Sequence, residues 1–309
     1  MRNGFIKAAA ASPRLRVADC AYNRDRIIEA IRRAQALDAQ LLVLPELAVT
    51  GYTCGDLFGQ QTLLEGALEA LLDIAAATEG GDLLTVVGAP LVKEGRLYNC
   101  AAVLQDGEIL GVVPKRNLPG YGEFYETRNF TPGPGEVSGL ALGESWVPFG
   151  GNLLFRCREL PDFCLGVEIC EDLWVPSPPS GALAAAGATV IANPSASDEC
   201  IAKADYRRTL VAGQSARLVC GYVYADCGPG ESTTDLVFSG HNLIGENGAL
   251  LAESPPFGEG FAVTELDLER LAGQRRRTTT WPLPPREEFT EVEFSMALRP
   301  GALPRAGSP

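Results

Sequence analysis

Residues 4–45 read GFIKAAAASPRLRVADCAYNRDRIIEAIRRAQALDAQLLVLP and contain the repeating unit that decides the fold. The two ends, residues 4–11 and 40–45, are apolar enough for buried strands, whereas residues 21–37 between them have apolar side chains at helical spacing. Those apolar positions are Ile27, Ile28, Ala30, Ile31 and Ala34. The stretch therefore predicts a strand–helix–strand unit, which is typical of an α/β protein.

The alternation of helices and strands continues along the chain. A helix is predicted over residues 60–78, and the β-rich run 82–90 follows it as a strand. Later segments repeat the pattern, with buried strands predicted at residues 163–169, 189–192 and 220–225 and a helix over 203–218.

Two short turns indicate that the sheets also contain antiparallel strands. Asp106-Gly107 separates two apolar runs within residues 97–113, and Asn247-Gly248 does the same within residues 236–252. These residue types tolerate the positive φ that tight hairpin turns require. The result is an α/β protein with mixed sheets. Two such sheets, each covered by helices on one face, can bury their other faces against each other as a four-layer α-β-β-α sandwich.

The chain is expected to form one large domain over residues 1–268. Residues 131–151 contain three prolines and six glycines and are predicted to be a long surface connection inside this domain. After it, residues 269–309 are predicted to be a linker or C-terminal tail, because the pattern gives way to a proline-rich segment. The basic cluster at residues 275–277 is interpreted as a solvated face of that linker.

The net charge of −13 and the pI near 4.7 disfavour binding to nucleic acid or to anionic membranes, because both would repel the chain at long range. No apolar run reaches the roughly 20 residues that span a bilayer, and no secretory signal is visible, so a cytoplasmic protein with a small-molecule substrate is expected. The nine cysteines are expected to be mostly reduced thiols. With a single histidine, His241, and no close cysteine spacing, a metal centre is not expected.

Three reactive side chains follow predicted strands, where loops gather and ligands bind in α/β folds. Glu46 in LLVLPELAVTGYTCGD could act as a general base if burial raises its pKa. Lys115 in ILGVVPKRNLPGYGEFYETRNF could stabilise developing negative charge. Cys170 in LGVEICEDLW ends a strand at an elbow that is expected to expose its thiol. Taken singly, the three have simpler interpretations as a surface carboxylate, a solvated lysine and a small buried cysteine.

Together these segments form the pattern PE-x-x-x-x-GY, then PK-x-x-LP, then E-I-C-E-D-x-W, which resembles the nitrilase superfamily. More closely, the chain is similar to the N-terminal glutaminase domain of bacterial glutamine-dependent NAD synthetases over about residues 4–281. The shared motifs lie at residues 46–58, 95–103, 111–130, 167–174 and 230–248. The resemblance implies the four-layer nitrilase fold and an amide hydrolase.

The resemblance also implies a catalytic triad that releases ammonia from glutamine. Glu46 would be the general base, and Cys170 the nucleophile that forms a glutamyl thioester. Lys115, together with the N–H of Glu171, would hold the oxyanion. His241 could in principle activate the thiol, but a glutamate already fills the role of the base, so this histidine is interpreted as a strand-surface or core residue.

A substrate pocket is suggested by further matched positions, namely Tyr52, Tyr121, Phe124, Glu126, Glu171, Trp174, Ser197 and Lys203. Glu171 and Ser197 would bind the substrate ammonium. Lys203, with backbone near Tyr121, would bind the substrate carboxylate. Glu126 has a second interpretation, as a structural carboxylate that orients the catalytic lysine.

In the resembled family a synthetase domain follows the glutaminase domain and uses ATP to amidate deamido-NAD with the ammonia. Residues 269–309 contain no glycine-rich pyrophosphate loop, so that domain is expected to be absent from the chain. The glutaminase reaction itself is expected to need no cofactor, and the chain is expected to form a homo-oligomer. Two alternatives remain: a stand-alone nitrilase-family amidase with another substrate, or a non-catalytic assembly module of the same fold.

Overall fold

A computed structural model describes residues 4–143, 145–282 and 288–297 of the chain. Its first half consists, in chain order, of β1 (Phe5–Ala11), α1 (Cys20–Ala36), β2 (Leu41–Val43), α2 (Gln61–Ala76), β3 (Leu84–Lys93), β4 (Arg96–Gln105), β5 (Glu108–Pro114), α3 (Glu126–Asn129), β6 (Ser138–Leu142) and β7 (Ser145–Phe149). The second half consists of β8 (Leu153–Cys157), β9 (Cys164–Val167), α4 (Pro179–Ala185), β10 (Val190–Ser195), α5 (Lys203–Leu218), β11 (Gly221–Asp226), β12 (Leu243–Glu246), β13 (Ala249–Glu253), β14 (Phe261–Asp267), α6 (Leu268–Arg277) and β15 (Thr290–Phe294). Two 3-10 segments lie at Tyr52–Gly59 and Cys170–Leu173. Within the described ranges, no helix has the length and apolar character needed to cross a membrane.

Across the described residues the strands form two mixed sheets. One has eight strands in the order β14-β1-β2-β3-β4-β5-β7-β6, and the other has seven in the order β13-β12-β11-β10-β9-β8-β15. Strands β1, β2 and β3 are parallel, as are β9, β10 and β11. The β4–β5 and β12–β13 pairs are antiparallel, and their turns contain Asp106 and Asn247 at φ of 49° and 46°. Both predicted hairpin turns are therefore confirmed, although the strand before Asn247 begins only at Leu243.

The alternation of side chains along single strands shows how the layers stack. Ala9 of β1 packs outward into the cluster that contains Ile31 of α1, whereas the adjacent Ala8 packs inward with Val223 of β11. On β11, the neighbouring Tyr222 points the other way and packs with residues of α4 and α5. Three separate apolar clusters thus lie between four layers. The predicted α-β-β-α sandwich is confirmed.

The connection predicted over residues 131–151 is wrong for its central part. Strands β6 and β7 form a hairpin there, at one edge of the eight-stranded sheet. β7 is joined to β5 by a single aligned pair, Val112 with Phe149. Outer strands with few ladder partners tolerate proline and glycine, so the composition that indicates a loop is also compatible with these short strands.

The tail predicted after residue 268 is also wrong for its described part. Helix α6 occupies its beginning, and β15 pairs in parallel with β8 as an edge strand of the second sheet. Arg275, from the cluster expected to be solvated, is buried and donates hydrogen bonds to the carbonyls of Leu218 and Val219. The reason the pattern missed β15 is that most of its side chains are exposed, so it lacks an apolar face. Residues 283–287 and 298–309 of this predicted tail lie outside the described residues.

The loop after β2 passes very close to β3 at Gly88. A Cβ atom on Gly88 would lie 2.3 Å from the backbone N of Leu47 and 2.4 Å from the carbonyl O of Pro45. Backbone atoms cannot rotate away as a flexible side chain can. Any larger residue at position 88 must therefore displace the loop that carries Glu46.

We expect Gly88→Ala to lower the free energy of unfolding by about 1–3 kcal/mol, the usual cost of overpacking. Gly213→Ala in α5 is the matched control, because nothing lies within 4 Å of its added Cβ. In a helix, alanine is favoured over glycine by about 1 kcal/mol, so the control should not lose stability. Urea unfolding measures both variants. Wild-type stability in Gly88→Ala would contradict the close approach.

Candidate active site

Glu46, Lys115 and Cys170 come together where strands of both sheets end. Glu46 and Cys170 each follow their strand, β2 and β9, after two intervening residues, and Lys115 directly follows β5. The N–H of Glu46 donates to the carbonyl of Ser195 at 3.3 Å, which connects the loop after β2 to the end of β10 in the other sheet. The site therefore spans the interface between the two sheets.

The ammonium of Lys115 is fully buried between two carboxylates. Its Nζ donates to Glu46 Oε1 and to Glu126 Oε1, each at 2.6 Å. Asn99 Nδ2 donates to Glu46 Oε1 at 2.6 Å and to Glu126 Oε2 at 3.2 Å. The hydroxyl of Tyr52 donates to Glu126 Oε1 at 2.8 Å. These contacts fix the positions of both carboxylates relative to the lysine.

The electrostatics of this cluster give Glu46 and Lys115 different proton affinities. Burial raises the pKa of Glu46 to about 7; the charge of Lys115 lowers this pKa, and that of Glu126 raises it. Burial also lowers the pKa of Lys115, but the two carboxylates outweigh burial and hold that pKa well above its ordinary value. Lys115 therefore stays charged while Glu46 can exchange a proton near neutral pH. Among the described residues, Glu46 Oε2 has no hydrogen-bond partner, so this oxygen is free to accept that proton.

Cys170 is the first residue of the 3-10 segment that follows β9, and the chain makes an elbow there. Its φ is 44°, in the left-handed region that residues with a Cβ seldom adopt. The residue is only 5% exposed because it packs into the core between the sheets, so the expectation of an exposed thiol is wrong. Burial raises the pKa of Cys170 well above its ordinary value; the charge of Glu46 raises it further, and that of Lys115 lowers it. The resting group is a neutral thiol that needs a base.

A cleft of about 550 Å³ opens on Cys170. Six of the eight residues expected in the substrate pocket line it: Tyr121, Phe124, Glu171, Trp174, Ser197 and Lys203. The ammonium of Lys203 is paired with Asp198 and lies 5.3 Å from the ring centroid of Trp174. On the other side, Tyr121 donates to Glu171 at 2.9 Å. The cleft therefore presents side chains of both charge signs and aromatic surfaces.

Tyr52 and Glu126, the other two expected pocket residues, do not line this cleft. They line a second cavity, of about 200 Å³, together with Phe58 and Phe130. Because Glu126 contacts Lys115 directly, the geometry supports its alternative interpretation as the carboxylate that orients the lysine. Tyr52 extends the same network by its hydrogen bond to Glu126.

Two polar residues of the site were missed by the sequence reasoning. Asn99 bridges the carboxylates of Glu46 and Glu126, and a buried asparagine within the apolar strand β4 was the available signal. Asp172 accepts from the N–H of Asn117 at 2.9 Å and from the N–H of Ile169 at 3.0 Å. Asp172 thereby ties the loop after Lys115 to the elbow at Cys170.

His241 is buried, as one of its two interpretations expected, but it lies in a loop before β12 and not in a strand. Its Nδ1 is 2.8 Å from a guanidinium nitrogen of Arg207. Burial and this guanidinium lower the pKa of His241. The histidine is therefore neutral and occupied by structural contacts.

A buried carboxylate and ammonium near an elbow thiol, on a four-layer sandwich, are the groups that amide hydrolysis through a covalent thioester requires. A family model for carbon–nitrogen hydrolases matches residues 7–276, and the chain belongs to this family. It is 44% identical over 305 residues to the glutamine-dependent NAD(+) synthetase of Mycobacterium tuberculosis, a match that covers 96% of this chain and 45% of the relative. The chain thus spans less than half the length of the curated relatives it matches.

Solved structures agree with this assignment. A glutamine-dependent NAD(+) synthetase from Cytophaga hutchinsonii superposes with a TM-score of 0.76 at 31% identity, over 85% of this chain and 43% of that one. An amidase of the nitrilase superfamily from Nesterenkonia has a TM-score of 0.67 at 24% identity, over 90% of this chain and 98% of that one. The second likeness shows the shared fold alone.

We expect the rate at which iodoacetamide alkylates Cys170 to rise as the pH rises through about 7. Above that pKa, Glu46 is ionised and can take the thiol proton; below it, Glu46 is protonated and the rate is lost. Mass spectrometry of the Cys170 peptide measures the rate across the pH range.

Glu46→Gln is the control, and it should show slow alkylation that increases only where the thiol itself ionises. Burial also raises the pKa values of Glu168 and Asp226 to about 7. A transition near 7 that persists in Glu46→Gln would assign it to one of these groups instead.

Proposed function

We propose that this chain is a glutaminase, which hydrolyses the side-chain amide of glutamine to glutamate and ammonia. The observation that carries the proposal is the cleft on Cys170, because it joins the nucleophile to groups of both charge signs. A zwitterionic amino acid requires both. The names of the relatives from Mycobacterium tuberculosis and Cytophaga hutchinsonii, which specify glutamine dependence, support the same substrate.

In the first half of the proposed reaction, Glu46 takes the thiol proton as the sulfur of Cys170 attacks the amide carbon. The oxyanion that forms is held by the ammonium of Lys115 and the backbone N–H of Glu171. Protonated Glu46 then gives its proton to the amide nitrogen, the carbon–nitrogen bond breaks, and ammonia leaves. A glutamyl thioester remains on the cysteine.

In the second half, Glu46 takes a proton from water as the water oxygen attacks the thioester carbon. The carbon–sulfur bond breaks, and the sulfur of Cys170 recovers its proton from Glu46. One water is consumed for each ammonia released. The proposed steps use only side chains and backbone of this chain, so the proposal includes no cofactor.

Recognition of the amino-acid end is proposed for the mouth of the cleft. Glu171 and Ser197 would bind the substrate ammonium, and the carboxylates of Glu123 and Asp198 add negative charge to the same lining. Lys203 would bind the substrate carboxylate, and its contact with Asp198 would keep the side chain directed into the cleft.

The ammonia is proposed to serve a synthetase domain, as the name NAD(+) synthetase of the relatives suggests. Such a domain would bind ATP and deamido-NAD, and would lie either in a longer form of the protein or in a separate partner. The part of the relatives that this chain does not match is long enough to contain it.

Cys170→Ala is expected to reduce glutamate release from glutamine by more than about 10⁴-fold, because the covalent route is lost. A coupled glutamate assay measures this loss, and a panel of aliphatic amides run beside it tests the preference for glutamine. Wild-type turnover in Cys170→Ala would contradict the mechanism. Equal or faster hydrolysis of simple amides would favour a stand-alone amidase.

Labelling with a glutamine-analogue electrophile tests whether Cys170 is the reactive cysteine. The electrophile should form an adduct in Cys200→Ser, which lacks the exposed cysteine, but not in Cys170→Ala. If the folded wild-type protein formed no adduct, the non-catalytic assembly module would be favoured.

Lys203→Met is expected to raise the KM for glutamine by about 10-fold or more, since a hydrogen bond to a charged group contributes about 1.5–3 kcal/mol. The same change should leave the KM for propionamide unaltered, because that amide has no α-carboxylate. Lys203→Arg keeps the charge and serves as the matched control. An unchanged KM for glutamine in Lys203→Met would remove this lysine from substrate binding.

A further inference from the structure

The unusual backbone of Cys170 is held by a side chain from the neighbouring strand. The N–H of Cys170 donates to Asn193 Oδ1 at 2.9 Å, and Asn193 is fully buried near the end of β10. A residue with a Cβ keeps a left-handed φ only where its surroundings fix it. The bond from Asn193 acts on the nucleophile residue itself.

Asn193 is in turn fixed by two further buried groups. Its Nδ2 donates to the hydroxyl of Tyr222 at 2.9 Å, and that hydroxyl donates to Glu168 Oε1 at 2.5 Å. Glu168 Oε2 accepts from the N–H of Ser180 at 2.8 Å. Asn193, Tyr222 and Glu168 are each at most 1% exposed, so water does not compete for these bonds.

The direction of this chain of hydrogen bonds is determined at Cys170. A backbone N–H can only donate, so the amide oxygen of Asn193 must face Cys170. The amide nitrogen of Asn193 then faces Tyr222 and donates to its hydroxyl oxygen, and this hydroxyl donates to Glu168 Oε1. The Cys170 N–H therefore selects the orientation of the Asn193 amide, and Tyr222 accepts the hydrogen bond that this orientation offers.

We infer that Asn193 is a positioning residue for the nucleophile and that Tyr222 and Glu168 lock its amide in the orientation that holds the Cys170 elbow. Among the described residues that line the cleft, none of these three appears, so the network acts through Cys170 and not through the substrate. The expected change in kcat rests on the proposed glutaminase function. The placement of the Cys170 thiol is also measured by its alkylation rate, which does not depend on that function.

Asn193→Leu removes the oxygen that accepts from the Cys170 N–H, at similar side-chain size. Tyr222→Phe keeps that oxygen but removes the hydroxyl that fixes the orientation of the Asn193 amide. For glutamine hydrolysis we expect kcat to fall about 100-fold in Asn193→Leu and about 10-fold in Tyr222→Phe, since small misplacements of reacting atoms have effects of this order. KM should change by less than about twofold in both, because the binding residues are untouched. The rate at which iodoacetamide alkylates Cys170 should fall most in Asn193→Leu and less in Tyr222→Phe.

Thr189→Val is the matched control. It removes another buried hydroxyl, which donates to the carbonyl of Asp162 at 2.6 Å, beside the opposite end of β10. We expect a lower Tm with unchanged kcat and alkylation rate, as for a purely structural hydrogen bond.

The inference is overturned if kcat and the alkylation rate of folded Tyr222→Phe equal those of the wild type, a result that decides the matter even if Asn193→Leu does not fold. It is also overturned if KM rises while kcat is retained. If the wild-type protein does not hydrolyse glutamine, the proposed function fails, yet the alkylation rates of the variants still test the placement of Cys170.

Discussion

The ammonium of Lys115 is buried completely and lies 2.6 Å from a carboxylate oxygen of Glu46 and 2.6 Å from one of Glu126. A single buried ion pair would neutralise the lysine, but two carboxylates around one ammonium leave an excess of negative charge in a dry site. Burial penalises that excess, and the repulsion between the carboxylates adds to the penalty. Binding of a proton by Glu46 removes this excess charge, and the pKa of Glu46 therefore rises to about 7. The arrangement that keeps the lysine charged therefore also produces a carboxylate suited to act as a base at neutral pH.

The rest of the architecture brings this cluster to the thiol. Glu46 and Lys115 follow strands of the eight-stranded sheet, whereas Cys170 follows a strand of the seven-stranded sheet, so the three side chains meet only because the two sheets stack. The Glu46 loop passes closely over Gly88 of the eight-stranded sheet, and its hydrogen bond to Ser195 ties it to the seven-stranded sheet. Asp172 makes the corresponding connection from the Cys170 elbow back to the loop after Lys115.

Much of this could be predicted from the sequence, because apolar spacing and turn residues report on local structure. β1, α1 and the Asp106 turn follow directly from such patterns, and the three motifs place Glu46, Lys115 and Cys170 at strand ends. The patterns could not show where side chains point once the sheets pack. For that reason the role of Glu126 stayed open between substrate pocket and lysine partner, and the burial of Cys170 was missed. Strand β15 was not predicted for a different reason. Most of its side chains are exposed, so its sequence has no alternation of apolar and polar residues that distinguishes it from a loop.

The state of the thiol determines what kind of catalysis this site can support. Lys115 favours a thiolate at Cys170, but burial and the charge of Glu46 oppose it, and the opposing effects win because the pKa of the thiol is raised overall. A resting thiolate–cation pair of the kind that a cysteine–histidine couple forms is therefore not available. If Cys170 is the nucleophile, as proposed, its proton must leave the sulfur during attack, and Glu46 must be placed to receive it at that moment. Proton transfer of this kind depends steeply on the distance and angle between base and nucleophile. A site that works in this way needs its cysteine held more firmly than one with a preformed thiolate, which agrees with an elbow whose Ile169 and Cys170 N–H groups donate buried hydrogen bonds to Asp172 and Asn193.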